Sequence, residues 1–514
     1  MESIPFQDLI VHLSSLLTSI PTTNSAILPS SIPPLSPSSS TLPSQPIPLS
    51  SLTTYLSTHI LPHLNHASLS RNYYGFVTGG VTPAALLADW LVSVWDQNVQ
   101  VHLPAETAAT NIEVAALNQL VELFNLPRDD WGISGNGAGQ GYSGGGTFTT
   151  GATASNVLGL ALGREWALHR ATERALGVGK GVSCGQHGVY ECMVAAGVRR
   201  VKVLSTLPHS SIGKAASLVG IGRENIVSVA KVEGDGLSID LDKLEREVAE
   251  EMTANILVVS AGEVNTGRFA TEGREVWKSV RAICDRYGVW VHADGAFGLF
   301  ARVLMDLEEP ERYKELVKGV EGLELADSIT GDCHKLLQVP YDCGFFLSRH
   351  RDMASRVCKN GNAVYLTAGV SSGDDIISPL NIGLENSRRF RSLPVHATLC
   401  TYGKVGYIDM LQRQISLARR VVRWLWNDDR YEVLPKEAVL AQAVARTFIV
   451  VLFRAKDDAL NSSLAKTING TGKMYVSGTA WQGQAAVRIA VSNWQVDVEQ
   501  DGRLIEEVLD QVSK

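Results

Sequence analysis

No run of about 18 or more uncharged apolar residues occurs in this chain of 514 residues, so no membrane span is expected. A basic excess is also lacking. The 46 Lys and Arg are outnumbered by 53 Asp and Glu, giving a net charge of −7, and nothing in that balance suggests a nucleic-acid partner. Paired cysteines are missing too. The seven cysteines (Cys184, Cys192, Cys284, Cys333, Cys343, Cys358 and Cys400) are odd in number, and no two have Cys-x-x-Cys spacing. A disulfide framework and a zinc site are therefore not expected, and a reducing, cytoplasmic location is. The first twenty residues carry Glu2 and Asp8 but no Lys or Arg, unlike a secretory or mitochondrial leader. The triplets at Asn461 and Asn469 match a glycosylation acceptor, a pattern common by chance. What is present is ordinary for a soluble enzyme of two or three domains: 45% apolar and 19% charged residues.

Phe6, Leu9, Ile10, Leu13, Leu16, Leu17 and Ile20 recur at helical spacing, which predicts an amphipathic helix over 4–20 that needs a partner surface. Residues 21–50 are dense in Ser, Pro and Thr and read as a linker. We expect an N-terminal segment over 1–65, a large domain over 66–395 and a small α+β domain over 396–514. Pro83 after Thr82 predicts a helix start, with the helix running through Trp95. A second helix is expected over roughly 110–124. Gly139 to Gly144 spells a formal GxGxxG, but no clear strand precedes it and no helix opens from it, so a dinucleotide site is not expected there. From about residue 188 strand-like and helical runs alternate: VKVLS (201–205), IVSVA (226–230), NILVVSAG (255–262) and VWVHADGAFG (289–298) are separated by amphipathic helices. This predicts an α/β fold with a mixed, mostly parallel sheet whose ligand lies at the strand ends. Leu336–Val339 and Cys343–Leu347 read as further strand. Residues 359–375 read as a mobile loop.

Three features converge. The small-residue turn Thr149-Thr-Gly-Ala-Thr-Ala-Ser-Asn156 opens a long helix, whose free amides and dipole suit an anion, with Thr153 and Ser155 as added hydroxyls. Asp294 ends an apolar strand. Lys335 sits between apolar segments, where an ammonium loses hydration and tends toward the nucleophilic amine. Alone, each has a plain reading as an N-cap, a turn residue or a surface lysine. Together they supply what pyridoxal phosphate needs: a helix end for phosphate, a carboxylate for the ring nitrogen and an amine for the aldehyde.

From about Asn72 to Trp494 the chain resembles the group II pyridoxal-phosphate-dependent decarboxylases, which include the aromatic L-amino acid and glutamate decarboxylases. The resemblance rests on TTGATASN for the phosphate loop, LPHSSIGKAASLVGIG with His209, HADGAFG with Asp294 and Ala296, DCHKLLQVPYDCG with His334 and Lys335, and SRRFRSL at 387–393. It implies the type I aminotransferase-like fold and a homodimer with active sites at the subunit interface. It further implies Lys335 as the Schiff-base lysine, a phosphate site at Gly151, Ala152 and Thr153, and His209 stacked on the cofactor ring. Asp294 would then face the ring nitrogen, with Ala296 against the ring and His334 beside the lysine.

Two departures from the family stand out. Gly262-Glu-Val-Asn-Thr-Gly267 replaces a Gly-Thr-Thr, so that Glu263 is either a pocket acid or a solvated loop carboxylate. The segment from Leu366 to Leu393, where the family often carries a proton-donating tyrosine, has none, and Tyr365 is the nearby candidate. The expected activity is decarboxylation of an amino acid to an amine. The alternatives are decarboxylation-linked oxidative deamination to an aldehyde, motivated by the missing tyrosine, and a weakly catalytic cofactor-binding protein, motivated by the altered loop. Expected pocket residues are Phe76, Thr78, Asn98, His102 and Glu263. The aromatics and small residues near 73–83 favour an aromatic or neutral substrate. Arg388, Arg389 or Arg391 keeps an acidic one open through a carboxylate clamp, and Arg389 is expected in the pocket.

Overall fold

The computed structural model describes residues 6–18, 20, 27–34, 40–135, 142–234, 236–307, 310–360 and 376–514. The predicted N-terminal helix is present as α1 (Phe6–Thr18) and buries none of its residues. Helix α2 (Pro83–Trp95) starts where proline predicts it, with the Thr82 hydroxyl accepting from Ala85 N. It is followed by α3 (Ala109–Leu123), α4 (Ala152–Leu176), α5 (Ser210–Leu218), α6 (Ser392–Trp426) and α7 (Val498–Val512). Among the described residues no helix is long and apolar enough to cross a membrane.

Two sheets organise the strands. The small one takes β1 (Tyr73–Tyr74), β9 (Tyr431–Leu434), β10 (Val450–Ala455), β11 (Tyr475–Trp481) and β12 (Gln484–Ala490), in the order β1-β11-β12-β10-β9. The large one takes β2 (Gly145–Thr149), β3 (Arg200–Ser205), β4 (Ile226–Ser228), β5 (Thr253–Ser260), β6 (Trp290–Asp294), β7 (Ser328–Asp332) and β8 (Gly344–Ser348), in the order β2-β8-β7-β6-β5-β3-β4. In the large sheet only β8 runs against its neighbours; the remaining pairings are parallel. Both faces are covered, which explains the unbroken apolar runs. Ile256 and Val258 of β5 share a cluster with α4, whereas Leu257 and Val259 belong to the core cluster on the other side, which includes residues of α3 and α6.

The fold departs from expectation in three places. Leu336 and Leu337 form a turn rather than a strand, and strand resumes only at Gly344. Gly145–Thr149 is a strand that the glycine-rich sequence hides. Across the expected 395/396 division α6 runs on, with a break at Gly403 (φ 55°), and Tyr73 and Tyr74 pair with β11 of the small sheet. The residues read as a mobile loop lie, from 361 to 375, outside the described residues, as do 136–141 of the glycine-rich segment.

Candidate active site

The parallel register of the large sheet sets Ser260 beside Asp294 and Asp294 beside Thr330, so β5, β6 and β7 end on one edge. Asp294 is buried there. Its Oδ1 accepts from Ala296 N at 3.3 Å and its Oδ2 from Asn156 Nδ2 at 3.0 Å. Asn156 Nδ2 also donates to Ser211 Oγ at 3.0 Å, so Asn156 Oδ1 is its acceptor end, and it lies 2.9 Å from His292 Nε2. That nitrogen must therefore carry the proton. His292 Nδ1 is then an acceptor for Ser328 Oγ at 2.8 Å, which itself accepts from Trp290 Nε1 at 3.0 Å. Burial fits this neutral tautomer, pushing the His292 imidazole down to about 4 against the opposing pull of Asp294. The same network reaches His209, which caps α5. Its Nδ1 accepts from Ser211 N at 3.2 Å and lies 2.8 Å from Ser211 Oγ. Burial lowers the His209 pKa as well.

The turn before α4 is held by its own hydroxyls. Thr149 Oγ1 lies 2.7 Å from Ser155 Oγ, to which it donates, and 3.1 Å from Gly151 O. Ser155 is fully buried and donates to Phe345 O at 3.0 Å, so it serves the turn rather than a ligand. Gly151 has φ 156°, and a Cβ there would come within 3.1 Å of His334 Cε1. Thr153 and Ala154, next in the first turn, line the cavity, and their amides have no hydrogen-bond partner among the described residues.

Between β7 and β8 the chain turns through His334 and Lys335. Lys335 Nζ is 2.9 Å from Asp332 Oδ2 and 5.8 Å from the centre of the Phe297 ring. His334 Nδ1 accepts from Cys343 N at 3.2 Å, its ring lies against Tyr341 with centroids 4.3 Å apart, and burial lowers its pKa.

These groups surround one cavity of about 410 Å³, within the range of roughly 300–1,000 Å³ for small-molecule sites. Gly151, Ala152, Thr153, His209, Asp294, Ala296, His334 and Lys335 all line it, with Phe76 and Glu263. Glu263 lines the cavity and is not a solvated loop carboxylate. It is buried, and its carboxylate accepts from the amides of Asn265 and Thr266, Asn265 Nδ2 and Thr266 Oγ1, all within 3.1 Å. Thr78 stands behind the lining, its hydroxyl 3.4 Å from that of Tyr341. Asn98, His102 and Arg389 do not line the cavity. Asn98 Oδ1 accepts from Arg388 N, His102 Nδ1 is 2.7 Å from Thr110 Oγ1, and Arg389 pairs with Asp89. Arg388 pairs with Glu113, and Arg391 with Asp342 and Glu385, so each of the three arginines already holds a carboxylate. Tyr365 lies outside the described residues.

Three lining or supporting residues escape sequence reading: Asn156, Tyr341 and Arg488. Arg488, on β12, is buried and donates through Nε to Val264 O at 2.6 Å and through Nη1 to Gly75 O at 2.8 Å. Burial lowers its pKa to about 10, opposed by Glu263. Nothing local marks it, because its partners are some 220 and 410 positions away along the chain.

A family model described as the pyridoxal-dependent decarboxylase conserved domain matches residues 33–445. An L-2,4-diaminobutyrate decarboxylase of Acinetobacter baumannii is 25% identical over 80% of this chain and 81% of its own length. A phenylacetaldehyde synthase of a Rosa hybrid cultivar is 24% identical over 87% of this chain and 81% of its own. The crystal structure of Oryza sativa TDC with PLP and tryptamine superposes with a TM-score of 0.78, covering 100% of this chain and 99% of that one at 22% identity.

Proposed function

Because the chain belongs to the pyridoxal-dependent decarboxylase family, a carboxy-lyase family acting on amino acids through pyridoxal 5′-phosphate, we propose that its substrate is an L-amino acid with an aromatic or neutral side chain and its product the amine. One observation carries this reading: Lys335, Asp294, His209 and the first turn of α4 line a single cavity.

The residues fit the cofactor. The amides of Thr153 and Ala154 offer two donors and a helix dipole to its phosphate. Asp294 offers the ring nitrogen a carboxylate that the Asn156 and Ala296 donors hold in orientation. His209 and Ala296 line the cavity where they would flank the ring, and Lys335 would provide the amine for its aldehyde. When bound, the cofactor supplies the electron sink for the pair left behind as CO₂ departs. The protein does the rest. Arg488, the cavity's guanidinium, orients the substrate carboxylate, and the Ser211 contact to Nδ1 leaves His209 Nε2 as the nitrogen that carries or delivers a proton. Phe76, Phe297 and Tyr341 give the cavity aromatic walls, while the three candidate clamp arginines are engaged elsewhere, which favours an aromatic or neutral side chain over an acidic one.

A panel of amino acids tests the proposal. The purified protein should show an absorbance band at about 400–430 nm, and CO₂ release should be largest with aromatic or neutral substrates. An acidic substrate turned over best would sink the specificity assignment. A second reading, aldehyde formation, is favoured by the tyrosine-free segment from Leu366 to Leu393 and by the likeness to an aldehyde synthase. Oxygen uptake with ammonia release, rather than amine formation, is its signature.

The chain works as a homodimer in this reading. Helix α2 exposes Leu86, Leu87, Trp90, Leu91 and Val94, and α1 exposes Phe6, Leu9 and Ile10. A second copy would cover these faces. A monomeric mass by sedimentation at micromolar concentration would refute this.

A further inference from the structure

The carboxylate of Asp332 touches three of the groups assigned to the cofactor. Its Oδ1 accepts from Ala152 N, the first amide of α4, at 2.6 Å. The same oxygen is 3.5 Å from His334 Nε2, and Oδ2 is 2.9 Å from Lys335 Nζ. Asp332 is 3% exposed, so these contacts are made away from bulk water, where a charge acts with little screening. Geometry leaves it little freedom. A Cβ on Gly151 would stand 3.4 Å from Asp332 Oδ1, and a Cβ on Gly344 would stand 2.5 Å from Gly151 Cα, so the phosphate turn is pressed between β7 and β8.

We infer that Asp332 is an electrostatic clasp built into the phosphate cradle, a positioning residue that sets how tightly the cradle holds an anion. The inference rests on the reading of α4 as the phosphate site. Asp332 does two opposed things. It holds Lys335 beside the cradle as an ion pair, and it occupies the Ala152 amide with a fixed negative charge. A phosphate entering the cradle is thus left the Thr153 and Ala154 amides and meets a carboxylate on its flank. The ammonium of Lys335 offsets that carboxylate. Once the lysine nitrogen is committed to the aldehyde, less of the offset remains, and the cradle's grip on phosphate is weaker than an uncharged side chain at 332 would allow.

The readout is binding to the apo-protein. Affinities for pyridoxal 5′-phosphate and for pyridoxal, which lacks the phosphate, are measured by fluorescence titration, and their ratio isolates the phosphate's share. Asp332→Asn keeps an acceptor for Ala152 N and removes the charge, so the ratio rises by roughly tenfold, as expected for loss of one nearby like charge. The same ratio in Lys335→Ala guards against a folding artefact. Removing the ammonium leaves Asp332 uncompensated and lowers the ratio, and adding Asp332→Asn to that variant restores it. A merely structural role for Asp332 would not tighten phosphate binding in either background. An unchanged or lower ratio in Asp332→Asn, or no rescue in the double variant, overturns the inference while leaving the cradle in place. Equal affinity of the unaltered protein for the two ligands overturns both the inference and the assignment of α4.

Discussion

His292 Nε2 and Asn156 Oδ1 lie 2.9 Å apart, and that single bond sets the polarity of the network beneath the candidate site. Turning the Asn156 amide over would face its NH₂ toward the proton-bearing His292 Nε2 and its oxygen toward Asp294. The carboxylate would lose a donor and gain a repulsive neighbour. Asn156 thus serves Asp294 and, through Ser211, His209 at once.

The network requires α4 to approach β6 closely, and Gly159 makes the approach possible. A Cβ at 159 would stand 2.5 Å from His292 Cε1. Gly159→Ala gains about 1 kcal/mol of helix propensity but loses roughly 1–3 kcal/mol to overpacking. We expect a lower melting temperature together with weaker cofactor retention. A more stable protein would show that the helix can move away without cost.

His292 also makes stability depend on pH. Its folded pKa of about 4 lies below the unfolded value of 6.5, so the unfolded state binds the proton first as pH falls. The neutral ring's contribution is complete above about pH 6.5 and is lost progressively down to about pH 4. The two values differ by some 2.5 pH units, which makes the loss about 3 kcal/mol. Chemical denaturation between pH 7 and pH 4 should show this slope, and His292→Gln should flatten it.

Lys335→Ala should leave the fold intact, because the side chain is about one quarter exposed and its Asp332 partner retains the Ala152 amide. The visible absorbance band should vanish and CO₂ release fall to background. Retention of the band at full intensity would assign the amine to another lysine.

Arg488→Met should spare cofactor binding and raise KM for the amino acid by about ten- to a hundredfold, the equivalent of a charged hydrogen bond of roughly 1.5–3 kcal/mol. If cofactor affinity drops equally, the guanidinium supports the wall between Gly75 and Val264 rather than the substrate.

Much of this architecture is legible in the chain because its causes are local. The buried strands β5 and β6 read as apolar runs because both faces of the sheet are covered, and Asp294 breaks its run conspicuously. Lys335 and the turn before α4 carry their chemistry in a few consecutive residues. Strand β2 was hidden because Gly145 and Gly146 have little strand propensity of their own and pair only because β8 is there to receive them. Asn98 and His102, expected in the pocket, instead meet Arg388 and Thr110, partners that no local pattern announces. Arg488 and Asn156 gain their meaning only from partners far along the chain, which no local pattern reports.

The pairing of Tyr73 and Tyr74 with β11, and of Arg488 with Gly75 and Val264, has a bearing on biosynthesis. A nascent chain that has already made Asp294 and Lys335 still lacks one side of its pocket, since β12 leaves the ribosome later. The cavity wall is therefore completed late, when the small sheet folds back onto a segment synthesised near the beginning.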